Sequence, residues 1–143
     1  MTIVDRSLPF IARFCLILLF PFSALDKIID YGGAVAQADA SGLPVPGWLL
    51  LFLGGSLEVF GSLGILFNYY ARPLALLFCF YCVATAVLFH DFWTYPLGSA
   101  EWQANFWPFL KNFGLVGGFL FVAANAKMEP LGRALTLAPR PPS

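Results

Sequence analysis

The sequence predicts an all-α fold: an integral membrane four-helix bundle with a short interfacial helix between helices 1 and 2. Three observations lead there. The 143 residues are 59% hydrophobic and 11% charged, whereas a soluble domain carries about a quarter charged residues. The mean hydropathy is +0.77. The apolar residues also fall in four continuous runs, each close to the ~20 residues that cross ~30 Å of hydrocarbon as a helix. A membrane barrel would alternate apolar and polar residues instead. The formal net charge of zero removes any electrostatic case for binding nucleic acid.

The first run covers about 8–25, Leu8 to Leu25, and Pro21 inside it should bend the helix. It does not read as a cleaved signal. Asp5 opposes Arg6, Arg13 interrupts the apolar run, and no small-x-small site follows. Asp30–Ser41 is too polar to cross and suits a short helix lying in the interface. Gly42-Leu43-Pro44-Val45-Pro46-Gly47 is a turn cluster ahead of the second run, about 48–68. Arg72-Pro73 places a proline where a helix starts, and the third run follows over 73–92. Tyr95-Pro96-Leu97-Gly98-Ser99 closes it. The fourth run covers 105–125, with Pro108 in its first turns. A flexible tail is expected from about 128. The whole of 1–143 reads as one domain.

Lysine and arginine set the orientation. Arg6 precedes the first run, Arg72 lies between the second and third, and Lys127, Arg133 and Arg140 follow the fourth. The other two loops carry no lysine or arginine, apart from Lys27 at a helix end. Both termini are therefore expected in the cytoplasm. All four tryptophans then fall near the outer interface, where indole rings anchor.

Ionisable residues inside a span are costly and usually have partners. At about 1.5 Å per residue, Lys27, His90 and Asp91 belong at the outer boundary. Lys111 and Asn112 belong roughly 10 Å below it, Glu58 near mid-membrane, and Arg13 slightly deeper. A structural ion pair between Arg13 and Glu58 is expected, with Lys111 as another possible partner for Glu58. Gly54 and Gly61 flank Glu58 at helical spacing, and Gly114 and Gly118 follow Lys111. Such small residues let helix backbones approach closely. They predict inward-facing charges and a polar seam of Lys27, Glu58, His90, Lys111 and Asn112.

No catalytic residue and no metal site is expected. The chain has a single histidine and no compact ligand cluster. Cys79-Phe80-Tyr81-Cys82 spells CxxC, but a mid-helix i,i+3 pair is poorly placed for a disulfide. Buried cysteine commonly acts as a small hydrophobe. No GxGxxG, iron–sulfur cysteine set or haem pair is present, so no intrinsic cofactor is expected.

Several short motifs resemble the DoxX family. They are Arg13, Ala24-Leu25-Asp26-Lys27, Gly42-Leu43-Pro44, Glu58 with Gly61, Phe89-His90-Asp91-Phe92-Trp93, and Lys111-Asn112 with Gly117-Gly118. They occur in the family's order along nearly the whole chain. Ala24 stands where many members have glycine. The resemblance implies a small four-helix protein of the bacterial cytoplasmic (inner) membrane. It also implies a role as an accessory subunit of a respiratory or quinone-linked oxidoreductase, anchoring other membrane or periplasmic redox subunits. In that role the seam would border a quinone at an interface, with Lys27, His90 and Lys111 as donors. The alternative is a structural or chaperone-type subunit that binds other membrane helices without redox chemistry.

Overall fold

The computed structural model describes residues 3–126, with side chains from Ser7 onward. The expected tail from 128, and Lys127, Arg133 and Arg140, lie outside the described residues. Four helices are long and apolar enough to cross a membrane: Ser7–Ile29, Gly47–Leu66, Ala71–Thr94 and Ala100–Asn125.

The first span is built from α1 (Ile3–Ile17) and α2 (Leu19–Ile29). The break at Leu18 has a local cause. Pro21 has no N–H to give the Ile17 carbonyl, and its ring crowds that carbonyl. The span reaches Ile29, four residues past the apolar run, so Asp26 is helical and Lys27 lies in the last turn. The short α3 (Tyr31–Asp39) follows, where the polar stretch predicted a helix. Asp30 caps it by accepting a hydrogen bond from the Gly33 N–H at 3.1 Å.

The second span contains α4 (Gly47–Ser56), a π-helical turn (Leu57–Gly61) and α5 (Ser62–Leu66). α3 packs on α4. The Asp39 carboxylate accepts from the Gly47 N–H at 2.6 Å, which places an acid at the positive end of α4. A tight reversal follows, with Asn68 and Tyr70 at φ 58° and 49°. It leads into α6 (Ala71–Phe89) and a 3₁₀ turn (Phe92–Thr94). Finally, α7 (Ala100–Asn125) starts five residues before the apolar run. Ser99 caps it through the Trp102 N–H at 3.1 Å, and Glu101 sits in the first turn. Capping and dipole chemistry extend this helix beyond the segment that hydropathy marks.

The core forms where three spans bring aromatics to one level. Phe78 of α6 stacks on Phe119 of α7 at 4.7 Å and 7° between planes. Phe20 of α2 tilts against both, at 4.6 and 5.6 Å. Ile17, Ile65, Ala75, Cys82 and Ala123 close this layer. α7 packs mainly on α6, and α1 reaches it on the other side. The end carrying α3 and the 3₁₀ turn is called the α3 end below.

Candidate functional site

One turn from the aromatic layer toward the α3 end lies the principal buried polar group, Glu58, at 2% exposure. It leaves the second span within the π turn, a distortion frequent at functional positions. Its Oε1 accepts from Lys27 Nζ at 2.8 Å, Ser23 Oγ at 3.0 Å and Tyr81 Oη at 2.7 Å. Its Oε2 accepts from Lys27 Nζ at 2.9 Å. Lys27 Nζ also donates to Ser23 Oγ at 2.7 Å. A lysine has three N–H bonds, and Lys27 has three close acceptors for them. The cluster therefore ties α2, the π turn and α6 together with its charges paired and its donors engaged. Charge-assisted bonds of this kind are about twice as strong as neutral ones.

The expected partners of Glu58 are corrected: its counter-ion is Lys27, not Arg13 or Lys111. The physical reason is the lean of helical side chains toward their own N-terminus. The first span runs toward the α3 end, so the Lys27 side chain points back into the bundle. The second span runs the opposite way, so Glu58 leans toward the α3 end and meets it. Arg13 leans away from Glu58. In addition, α1 packs beside α5, whereas α2 packs beside the π turn. Arg13 is half-buried and makes no ion pair or hydrogen bond among the described residues.

The rest of the expected seam does not converge on this cluster. His90 ends α6, half-buried, with Asn105 of α7 and Asp91 as its polar neighbours. Lys111 is exposed on α7 and has no partner among the described residues. Asn112 donates to the Pro108 carbonyl at 3.0 Å, one turn back in its own helix. The glycine expectations divide in the same way. A methyl on Gly54 would sit 3.4 Å from Tyr81 Oη, one on Gly61 2.9 Å from Phe78, and one on Gly118 2.7 Å from Leu16. Gly61 and Gly118 are close-packing positions, whereas a methyl on Gly54 would make ordinary van der Waals contact. Gly114 faces open space.

Ser23 and Tyr81 stand outside the polar seam that the sequence predicts. The i,i+4 spacing of Ser23 and Lys27 placed both on the face that Glu58 meets, which was the available signal. Ser62, one turn beyond Glu58, is fully buried, and its hydroxyl has no partner among the described residues. Cys79 and Cys82 are free thiols; Cys79 donates weakly to the Val116 carbonyl at 3.7 Å. Among the described residues no group of three or more His, Cys, Asp or Glu is placed to hold a metal.

At the α3 end the rings form a second cluster. Phe92 packs edge-on against Trp102, Phe106 and Phe109, and Trp102 stacks on Phe106 at 4.3 Å. His90 stands at its margin through the short link to Phe92.

The DoxX family pattern matches residues 8–91, a stretch that includes Ser23, Lys27, Glu58, Tyr81 and His90. The chain belongs to the DoxX family. Lys111 and Asn112 lie beyond the matched stretch. The chain is 34% identical over 115 residues to inner membrane protein YphA of Escherichia coli (strain K12). It is 35% identical over 113 residues to inner membrane protein YqjF of the same organism. Each alignment covers 79% of both chains. No solved structure matches the chain. Family membership and the four apolar spans together make it a membrane protein.

Proposed function

We propose that this DoxX protein is an accessory subunit of a quinone-linked oxidoreductase assembly in the bacterial cytoplasmic membrane, with both termini cytoplasmic. It anchors partner subunits and borders a quinone at their shared interface. The reading draws on the family's general character and on the inner-membrane relatives. The observation that carries it is the arrangement at the α3 end. There a half-buried imidazole has Asn105 beside it, whose amide keeps one N–H beyond the bond it donates to the Glu101 carbonyl at 2.9 Å, and it lies two residues from Phe92, which packs edge-on against Trp102, Phe106 and Phe109. Aromatic faces suit a planar ring, and imidazole and amide N–H groups suit its carbonyl oxygens.

The Lys27–Glu58 cluster does not fit a quinone. Lys27 would have to give up one of its three close acceptors to reach a carbonyl. Its work is to lock the bundle from within. Electron transfer belongs to the partner subunits in this reading.

The test is turnover per intact complex, measured after mild solubilisation. His90→Ala is expected to leave the complex assembled and to lower quinone-linked turnover. Lys27→Met is expected to lower the amount of complex and leave turnover per complex unchanged. Unchanged turnover in His90→Ala would remove the quinone contact and leave an anchoring or chaperone-type subunit.

A further inference from the structure

Besides Arg13 and the charges near the span ends, two charged residues of opposite sign stand in the spans outside the buried cluster, Asp26 on α2 and Lys111 on α7. Both are exposed, and neither side chain has a hydrogen bond or ion pair among the described residues. Their signs are opposite and their heights nearly match. Asp26 lies six residues from Phe20, and Lys111 eight from Phe119, both toward the α3 end. Because Phe20 and Phe119 share the aromatic layer, these offsets are roughly 9 and 12 Å at about 1.5 Å per residue. The difference is under one helical turn, and the lysine stem is long enough to span it.

The two charges also flank one side of the molecule. Ala12, Cys15, Leu19, Phe22 and Asp26 recur at helical spacing along the first span, and all are exposed. On α7 the matching row is Lys111, Gly114, Gly118 and Phe121. Near the far end the two rows meet at an apolar groove lined by Cys15, Leu16, Gly118 and Phe121. Toward the α3 end they part, and α2 and α7 scarcely touch. Gly114 and Gly117 face open space there, which leaves α7 approachable by another helix backbone. An unpaired charge on a lipid-facing surface is costly and calls for a counter-ion.

We propose that the seam between the first and fourth spans is a self-association surface. A second copy of this chain docks on it about a two-fold axis along the bundle. Asp26 of each copy then pairs with Lys111 of the other. A second copy is favoured over an unrelated partner because the chain itself supplies both signs, at matched height, on one side. A two-fold operation exchanges these patches and satisfies both pairs at once.

The experiment uses the full chain in mild detergent and in lipid nanodiscs, with native mass as the readout. The wild type is expected to be dimeric. Asp26→Lys alone, or Lys111→Asp alone, places like charges together and is expected to raise the dimer Kd at least about tenfold. The double variant Asp26→Lys/Lys111→Asp restores opposite signs and is expected to recover the dimer, which also shows that the exchanged chain folds. A monomeric wild type in both environments overturns the proposal and assigns the two charges to lipid headgroups or to closure of the seam within one chain. Dimeric single variants, or a double variant that stays monomeric, overturn the Asp26–Lys111 pairing. None of these outcomes depends on quinone-linked turnover.

Discussion

Lys27→Met would leave the Glu58 carboxylate buried at 2% exposure with two hydroxyl donors, Ser23 and Tyr81, and no counter-charge. Removing one partner of a buried ion pair typically costs about 3–5 kcal/mol, because the other charge stays desolvated. Glu58→Gln is the milder change. It keeps an acceptor for Ser23 and Tyr81, and it leaves Lys27, 29% exposed, able to take water. Its expected cost is about 1.5–3 kcal/mol, the range of lost charge-assisted bonds. Arg13→Met should shift stability by no more than about 0.5 kcal/mol, since Arg13 has no partner to lose among the described residues. Thermal unfolding of the three variants in one detergent gives the order. A loss at Arg13 matching that at Lys27 would contradict the observed pairing.

Among the elements, the second span departs furthest from a regular helix. Its π turn holds Glu58 and Gly61, and Gly61 is where the span meets the Phe78 ring. A methyl there would come within 2.8 Å of Leu57 and 2.9 Å of Phe78, and Phe78 is itself stacked on Phe119. Gly61→Ala is therefore expected to cost about 1–3 kcal/mol by overpacking. Gly55, two residues before the π turn, faces open space. Gly55→Ala should be neutral or stabilise by up to about 1 kcal/mol, because alanine is the better helix former. Unfolding measurements on the pair separate a packing glycine from an incidental one. The spacing that marks Gly61 and Gly118 as packing positions also marks Gly54 and Gly114, where a methyl would meet ordinary contact or open space. Spacing alone does not report which face a neighbour covers. The π turn left no local signature either, since Leu57–Gly61 are ordinary helix residues in sequence.

For the whole molecule, the four spans were legible because crossing a bilayer demands long apolar runs, and such runs show in composition. The break at Leu18, one turn before Pro21, and the short helix after Asp30 were legible for local steric and polarity reasons. Height measured from the edges of the apolar run favours Arg13 for Glu58, but α2 continues past that edge to Ile29 and carries Lys27 into reach. Adding the lean of side chains along each span's direction favours Lys27 over Arg13. The same alternation of directions frames the topology. Four spans in succession return the chain to the side on which it began, so the start of the first span and Asn125 share one face of the membrane. Lysine and arginine choose that face. Among the described residues Arg6 and Arg72 lie on the terminal side, while the loops at the α3 end carry no lysine or arginine and the nearby Lys27 is committed to Glu58. Positive residues in short flanks are retained in the cytoplasm. Reporter fusions after Ser143 are therefore expected to be active only in the cytoplasm, and insertions at Gly98 only outside it. The same compartment for both sites would contradict four spans. Reversed compartments would keep the four spans and overturn the orientation, placing His90 and Phe92 on the cytoplasmic side and any quinone-binding partner with them.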